Sequence, residues 1–538
     1  MDFPINIDPS SPKPLHRQIY DEIRKSILDG RIVAGEKVPS TRELAKALSV
    51  SRATVTLSYD CLLSEGYFKA VVGSGTFVSS ELPEDLLRPS RDGEGALAGS
   101  NPLSSDVMHY HASTGTKAGA TARITTTGDA GGAAQPKRND GKAAMHQAGH
   151  RLSWFGESLR AREWLQFPEQ EPPIQLMFGR PDLEEFPMRT WNQLLLHHAR
   201  KRKLELLDSP ANARGYGPLR EQIAAYVGRS RAVRCDASQV IIVNGSQQAI
   251  DLVTRVLVDR GDRVLIEEPG YIGAQKALQA QGADILPVPV DAHGLVVEWL
   301  KNKELSQPLP PKLIYVTPSH QSPTGSVLSL PRRLELINWA RKMGAYIIED
   351  DYDSEYRYTG RPIPALAGFE HANSVIYIGT FSKVLLPALR LGYLVVPDDL
   401  VEVFTRAKWL CDRHSPLLEQ QALCDFIRLG HLERHIRRMR RVYEKKRLRV
   451  VESLRSLLGN AVTVFGDNAG INVLVRVASA KSSEEIVEQA RRLGVGVAST
   501  APFYLGSAPE GEFLLNYGAL SDEQIDEGLK LFSQAVRA

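Results

Sequence analysis

The chain has 538 residues, of which 43% are hydrophobic, and its 66 basic and 63 acidic residues leave a net charge of only +3. This length predicts two to four domains, and the charge balance neither demands nor excludes a nucleic-acid partner, so any basic face must be local. No apolar run reaches the ~20 residues of a membrane span, and four scattered cysteines without a CxxC pair indicate neither a zinc site nor a disulfide framework.

The first residues, MDFPINIDPSSPKP, carry early acids and no apolar core, unlike a secretory signal. We therefore expect a cytoplasmic protein that binds no metal and has no membrane partner. Apolar residues then recur with helical spacing over 15–30. A second helix is predicted within 39–50, where Ser40 and Glu43 are spaced as a capping box, and a third begins after Ser51 as its N-cap.

The three-residue link 48–50 between the second and third helices is typical of a helix-turn-helix. The segment 67–79 predicts two short strands around a glycine-rich turn, which would form a wing. The patterns P-S-x-R-E-L-A, S-R-x-T-V, G-Y and G-S-G-T-F-V over residues 12–80 resemble the winged helix-turn-helix of the GntR regulator family. The resemblance implies a mainly helical DNA-binding domain with a β-wing.

That resemblance implies a double-stranded DNA operator as partner, because such a domain sets its third helix against base edges and phosphates while its wing reaches a minor groove. The residues expected to contact DNA are Arg42, Ser51, Arg52, Thr54, Thr56 and Gly75. Members of the family often carry a basic residue where this chain has Leu57, so no specific contact is expected from that position.

Residues 81–150 change character, since glycine, alanine, serine and threonine dominate and apolar periodicity is absent. Such a composition cannot bury enough apolar surface to offset its ordering entropy. We therefore predict a long flexible linker between the DNA-binding domain and a second domain over 151–538.

The second domain alternates short β-rich runs with helical patterns such as 246–261 and 332–344, which predicts an α/β fold with a mostly parallel sheet. The β-rich runs are 240–245, 263–271, 312–320, 345–352, 375–383 and 390–397.

Lys383 follows one of these runs and is flanked by hydroxyl and apolar residues, a setting that suits Schiff-base chemistry because partial burial favours the neutral amine. Thr380 and Ser382 add hydroxyl groups, and Arg390 lies seven residues further on.

Gly245, Ser246 and Gln247 stand where a strand meets a helix N-terminus, which predicts a phosphate cup of free backbone N–H groups. A second group of residues suits an aromatic ring rather than a phosphate. The Asp350 carboxylate can keep a pyridine nitrogen protonated, and the Tyr352 hydroxyl can donate to a ring oxygen. Tyr271 can stack on the ring.

Together these residues predict a pyridoxal 5′-phosphate site, and residues 170–535 resemble fold-type I aminotransferases. Fused in this order, the two domains resemble the MocR subfamily of GntR-family regulators. The resemblance implies a homodimer, head-to-tail, in which Lys383 holds the cofactor as an internal aldimine. We expect a transcriptional regulator that senses pyridoxal phosphate itself, or a small amine or amino acid condensed with it.

Two alternatives to this interpretation stay open at this point. The chain can be a working aminotransferase with a DNA-binding appendage, or a scaffold that never binds the cofactor. Whether it is an enzyme, which effector it reads, which operator it binds and whether it activates or represses are not determined by the sequence.

The chain departs from the aminotransferase pattern at two places. Ser322 stands where aminotransferases carry an asparagine on the ring oxygen, so Tyr352 is left to make that contact alone, or with His320 or Gln321. The stretch 494–520 lacks the arginine that binds a substrate carboxylate, for which Arg214 and Arg476 are candidate substitutes.

The segment 432–450 is densely basic. It predicts either a solvated helix face or a second track for DNA. The arginines that would share one face are Arg434, Arg437, Arg438 and Arg441.

Overall fold

The computed structural model describes residues 7–8, 14–79, 152–200, 212–301, 310–358, 363–466 and 468–537, apart from short gaps at 30, 34, 65–66, 72–74, 161–170, 178 and 370–372. Contacts divide the chain into two units, Met1–Arg151 and Leu152–Ala538. The predicted linker, 81–150, lies outside the described residues. The domain boundaries that depend on it stay predictions.

Three helices and a two-stranded antiparallel hairpin form the first unit. They are α1 (Leu15–Leu28), α2 (Thr41–Ala47), α3 (Arg52–Ser64), β1 (Phe68–Val71) and β2 (Gly75–Val78). The apolar faces of α1 and α3 bury Ile19, Ile23, Val55 and Leu62 in one core. The predicted winged helix-turn-helix is confirmed.

Local hydrogen bonds explain where α2 and α3 begin. The Ser40 hydroxyl accepts the Glu43 N–H at 3.2 Å, and the Glu43 carboxylate accepts the Ser40 N–H at 2.8 Å, which is the predicted capping box. Ser51 accepts the Thr54 N–H at 3.1 Å and so caps α3. Between the two helices, Ser49 adopts a φ of 53°, which turns the chain tightly into α3.

The second unit combines fourteen strands and eleven α-helices within its described residues. The strands are β3 (Ile174–Gln175), β4 (Val240–Val243), β5 (Arg263–Glu268), β6 (Asp284–Asp291), β7 (Gly294–Leu295), β8 (Leu313–Val316), β9 (Tyr346–Asp351), β10 (Val375–Thr380), β11 (Gly392–Val395), β12 (Val462–Phe465), β13 (Asn472–Val477), β14 (Val495–Gly496), β15 (Ala498–Ser499) and β16 (Glu512–Asn516). The α-helices are α4 (Trp154–Arg160), α5 (Met188–Arg200), α6 (Gly217–Arg231), α7 (Ser246–Leu257), α8 (Ile272–Gln281), α9 (Leu330–Met343), α10 (Val401–Asp412), α11 (Leu417–Arg428), α12 (His431–Leu458), α13 (Ser483–Arg492) and α14 (Asp522–Arg537).

Eight strands form the main sheet in the order β4-β11-β10-β9-β8-β5-β6-β7. The five strands from β10 to β6 in that order are parallel to one another, while β11 runs antiparallel to both β10 and β4, and β7 runs antiparallel to β6. The predicted, mostly parallel α/β sheet is therefore confirmed.

Helices cover both faces of this sheet, which is why its central strands read as continuous apolar runs. Along β4, Ile241 and Val243 pack in one core with α7, α8 and α10. Val240 and Ile242 face the opposite core, with α6 and α11.

Two features were not predicted. Strand β6 carries Pro287 and Pro289 and is partly exposed, so its sequence lacks a strand signature. An antiparallel sheet, β12-β13-β16-β15, packs with α12, α13 and α14 in the C-terminal part of the unit.

The carboxyl ends of β4, β5, β8, β9 and β10 lie at one edge of the main sheet, because these strands run in the same direction. In open α/β sheets this edge is where ligands bind. None of the described helices is long and apolar enough to cross a membrane. In the described part of the chain, no group of three or more His, Cys, Asp or Glu side chains could hold a metal ion.

Candidate functional site

Lys383 lies just after β10 at this edge, and its Nζ donates to the carbonyl oxygen of Gly179 at 2.5 Å. Burial lowers the pKa of the Lys383 amine, while the nearby carboxylates of Asp353 and Asp350 act in the opposite direction. A lowered pKa increases the share of neutral amine, which is the nucleophilic form. The setting predicted for this lysine is therefore the one that the structure shows.

Gly179 and Asn516 enclose the Lys383 amine, and neither was predicted to belong to the site. A Cβ atom at Gly179 would lie 2.9 Å from Lys383 Nζ and 2.9 Å from Asn516 Oδ1. The Asn516 amide is held in place because its Nδ2 donates to the Met177 carbonyl at 2.9 Å. No sequence signal identifies these residues, because both are distant from Lys383 along the chain.

Asp350 is the last residue but one of β9, close to Lys383, and one of its oxygens has no hydrogen-bond partner among the described residues. Its Oδ2 accepts the Tyr315 hydroxyl at 2.6 Å, while its buried Oδ1 accepts no hydrogen bond from the described residues. Burial raises the pKa of Asp350 to about 7. Asp350 Oδ1 can therefore accept a hydrogen bond from one N–H donor.

The predicted phosphate cup is a helix N-terminus with an arginine beside it. Gly245, with a φ of 87°, precedes α7, which begins with Ser246 and Gln247, so the first N–H groups of α7 have no acceptor within the helix. Arg390 donates to the Asn244 carbonyl at 2.9 Å, and a Cβ at Gly245 would lie 2.8 Å from its guanidinium. Only glycine fits this close approach without strain.

Hydrogen bonds to Asp412 of α10 hold the residues on either side of Gly245 in place. Asp412 accepts the Asn244 side-chain amide at 2.7 Å and the Gln248 amide at 2.8 Å. The fully buried Lys408 contacts the other oxygen of Asp412. These residues were not predicted, because a buried ion pair within a helix looks like any i, i+4 surface pair in the sequence.

Three more predicted residues lie at the same edge. The Thr380 hydroxyl donates to Ser382 Oγ at 3.1 Å at the end of β10. Tyr271 precedes α8 and is half-buried, and burial raises the pKa of its phenol to about 12. The charge of Asp350 raises the pKa of this phenol further, while the charge of Arg390 lowers it.

Tyr352 follows β9 and contacts His320 rather than Gln321. Its hydroxyl lies 3.2 Å from His320 Nδ1. Burial raises the pKa of the Tyr352 phenol, and the Ser322 side chain acts in the opposite direction. Gln321 is fully engaged elsewhere, since its Nε2 donates to the Pro269 carbonyl at 2.7 Å and its Oε1 accepts from Thr324. Of the two helpers considered for Tyr352, the structure places only His320 in contact with it.

The two arginines considered as carboxylate ligands have other partners. Arg476 forms an ion pair with the buried Glu512 at 2.8 Å, and Arg214 donates to the Ser238 carbonyl at 3.2 Å. Neither has a recorded contact with Lys383 or Asp350.

The basic segment 432–450 lies within helix α12, and its arginines differ in their partners. Arg438 pairs with Glu185 at 3.0 Å, and Arg434 donates to the Gly430 carbonyl at 3.0 Å. Arg437 and Arg441 are exposed, with no ion-pair partner in the described part of the chain.

In the first unit, the predicted DNA-contacting residues divide into capping and exposed groups. The hydroxyls of Ser51 and Thr54 bond to each other at 2.8 Å, and the Thr56 hydroxyl donates to the Arg52 carbonyl at 2.9 Å. Arg42 and Arg52 are exposed at the starts of α2 and α3. Their guanidinium groups are therefore the cations that these helix ends present.

Gly75 begins the second wing strand with a φ of 117°, and a Cβ there would lie 2.9 Å from Lys37 Cε. Lys37 is exposed and bridges to Phe77 of the same strand. Lys37 therefore adds a cation to the wing that was not predicted.

A winged helix-turn-helix followed by an aminotransferase-like domain with a central lysine is the class of protein that the fold and site define. The family model for bacterial regulatory proteins of the gntR family matches residues 15–78. The model for class I and II aminotransferases matches residues 190–532. The chain belongs to the MocR-type transcriptional regulators of the GntR family.

Similarity to known proteins covers nearly the whole chain. A probable rhizopine catabolism regulatory protein, MocR of Rhizobium meliloti, is 35% identical over 99% of this chain and 96% of its own length. The structure of Pyrococcus horikoshii kynurenine aminotransferase in complex with PMP has a TM-score of 0.64 and 28% identity, covering 72% of this chain and 95% of its own. That of Thermus thermophilus LysN, complexed with N-(5′-phosphopyridoxyl)-L-leucine, has a TM-score of 0.62 and 30% identity, covering 68% and 92%.

Proposed function

We propose that this regulator holds pyridoxal 5′-phosphate on Lys383 and uses it to sense an amine, or the cofactor itself. The observation that carries the proposal is that the Lys383 amine, whose pKa burial lowers, lies near Asp350, whose buried Oδ1 has no hydrogen-bond partner among the described residues. A pyridine N–H would give that oxygen its missing donor, and the positive charge of the ring nitrogen would compensate the buried carboxylate.

The remaining residues fit the other parts of the cofactor. The N-terminus of α7, opened by Gly245 and flanked by Arg390, suits a phosphate dianion. Tyr271 offers a ring face beside Asp350, and the Tyr352 hydroxyl can donate to a ring oxygen. When bound, the cofactor supplies an aldehyde that condenses with amines.

The chain's own residues would make such a condensation responsive to a second amine. Burial lowers the pKa of the Lys383 amine, which increases the share of the neutral, nucleophilic form. The Gly179 carbonyl would hold Lys383 Nζ whenever the lysine is not joined to the cofactor. An effector that favours this arrangement of Lys383 over the cofactor-linked one would bias the large unit.

Regulation rather than turnover is favoured by the extent of the similarity. The MocR relative aligns over 99% of this chain, whereas the two aminotransferase structures cover 72% and 68% of it. We further propose a cytoplasmic homodimer, head-to-tail, that binds double-stranded operator DNA. Two copies of the first unit would read two half-sites, as helix-turn-helix dimers do.

The test is the visible absorption of the purified full-length chain with pyridoxal phosphate, titrated with amino acids, sulfonated amines and amino sugars. We expect a visible band that is absent from Lys383→Ala, and one amine that converts it. If the band forms and no amine alters it, the cofactor itself is the signal. If no band forms, the proposal fails.

Operator binding with and without that ligand, in the wild type and in Lys383→Ala, then links the site to DNA. A wild-type ligand response in Lys383→Ala excludes covalent sensing. Sustained multiple turnover with an amino acid and a keto acid would instead identify a working aminotransferase.

A further inference from the structure

Three buried or half-buried side chains form a row beside the proposed ring site. His320 Nδ1 lies 2.8 Å from Asp353 Oδ2 and 3.2 Å from the Tyr352 hydroxyl. Both His320 and Asp353 are 2% exposed. His320 Nε2 is buried and has no hydrogen-bond partner in the described part of the chain. The contacts at Nδ1 are therefore the ones that decide where the imidazole carries its proton.

The contact with Asp353 favours the His320 tautomer that is protonated at Nδ1. An ionised carboxylate only accepts hydrogen bonds, so the imidazole nitrogen that faces it must carry a hydrogen. With Nδ1 protonated, His320 cannot accept the Tyr352 hydroxyl proton. The Tyr352 oxygen then accepts from its neighbours, and its own O–H is left to donate elsewhere.

We infer that Asp353 and His320 are positioning residues that fix the direction of the Tyr352 hydroxyl, so that it donates to the cofactor ring oxygen. This inference rests on the proposed function. It explains how the ring oxygen keeps a donor although Ser322 stands in place of the usual asparagine, since the Tyr352 oxygen accepts from His320 and its O–H donates to the ring.

The backbone makes room for this row at Gly470. With a φ of 76°, a side chain there would be strained, and a Cβ would lie 2.3 Å from His320 Cε1 and 2.7 Å from Asp353 Oδ2. The charged or titratable groups that influence Tyr352 are Asp353, Asp350 and Glu267, and Lys383 lies within reach of the first two. Replacing Asp353 therefore also changes the local charge, and the experiment must cancel that effect.

The experiment measures the pH midpoint of the visible absorption change of the bound cofactor in a double-mutant cycle. In the wild-type background, His320→Phe should move the midpoint by less than about half a unit, because Tyr352 still donates to the ring. In Asp353→Ala, His320 Nδ1 becomes free to accept the Tyr352 proton. Adding His320→Phe to Asp353→Ala removes that acceptor, so the Tyr352 hydroxyl should donate to the ring oxygen again. The pH midpoint of the absorption change should then fall by about one unit, which is tenfold in the equilibrium constant.

The loss of the Asp353 charge is common to both variants of that second comparison and cancels. An equal effect of His320→Phe in both backgrounds overturns the inference. The matched control is Asp425→Ala, which removes a His–Asp pair (His198 Nε2 to Asp425 Oδ2, 2.9 Å) with no recorded contact to the site, and the midpoint should not move.

Nitrogen-15 chemical shifts of the histidines, measured on the wild-type chain without cofactor, test the tautomer directly and need no Asp353 variant. His320, assigned by its absence in His320→Phe, should be protonated at Nδ1, and an Nε2–H tautomer overturns the inference. If no visible band forms in the wild type, the proposed function fails, and this measurement still decides the direction of the hydrogen bond.

Discussion

Replacing Gly179 with alanine should separate the placement of Lys383 from the stability of the fold. The added Cβ would lie 2.9 Å from both Lys383 Nζ and Asn516 Oδ1, whereas ordinary contacts are at least 3.4 Å. Each of the two contacts must lengthen by about 0.5 Å. Lys383 Nζ is the end of a flexible chain, while the Asn516 amide is held by the backbone, so the lysine moves more than the amide. Unfolding stability should then change by less than about 1 kcal/mol, the low end of overpacking costs.

Cofactor binding should suffer much more, because a misplacement of about 1 Å at a reacting atom can reduce a reaction by about 10²-fold, and half of that displacement should cost about tenfold. We expect the apparent affinity for pyridoxal phosphate, followed by the visible band, to fall about tenfold. Gly217→Ala is the matched control, since its Cβ would meet only Arg220 Nη2 at 3.8 Å. Unchanged affinity in Gly179→Ala, with an unchanged thermal midpoint, would refute the confinement of Lys383 by Gly179.

Three further predictions concern charge. Burial raises the pKa of the Asp350 carboxyl to about 7, so between about pH 4 and 7 this group keeps its proton in the folded chain but loses it in the unfolded chain. Without cofactor, the free energy of unfolding should therefore fall as pH rises through this range, by at most about 1.4 kcal/mol per pH unit. Asp350→Asn should flatten that trend in urea unfolding from pH 5 to 7, and an unaltered slope would contradict the raised pKa. Arg52→Ala should reduce the salt slope of operator binding by about 1 if its exposed guanidinium meets a phosphate, and an unchanged slope would exclude that contact. Replacing Arg437 and Arg441 together with glutamate should leave the slope unchanged, as a solvated helix face requires, and a reduced slope would indicate a second DNA track.

Much of the fold could be predicted because its signals are local. The capping box of Ser40 and Glu43 is a spacing of three residues, and the apolar run of β4 reflects burial on both faces. Strand β6 could not be predicted, since proline is atypical of strands and β6 contains Pro287 and Pro289. The antiparallel sheet of β12, β13, β15 and β16 was missed as well, although its strands form continuous antiparallel pairs in the structure.

The candidate site was predicted in part, for a related reason. Lys383 and Tyr352 follow strands, Arg390 precedes one and Asp350 is the last residue but one of β9, and parallel strands bring their carboxyl ends to one edge of the sheet. That the structure places them together supports their proposed roles, which the visible-absorption experiment tests.

The sequence by itself determined the two-part architecture, the family and the residue types that suit a cofactor, because all of these are written in short-range spacing and composition. Tertiary structure alone decided that Gly179 and Asn516 enclose the lysine, that Asp412 supports the phosphate cup and that Asp353 contacts the His320 imidazole. Gly179, Asn516 and Asp412 are separated from their partners by more than a hundred residues, and Asp353 lies 33 residues from His320. Their contacts exist only once the sheet has brought distant segments together, so no local pattern in the chain could carry them.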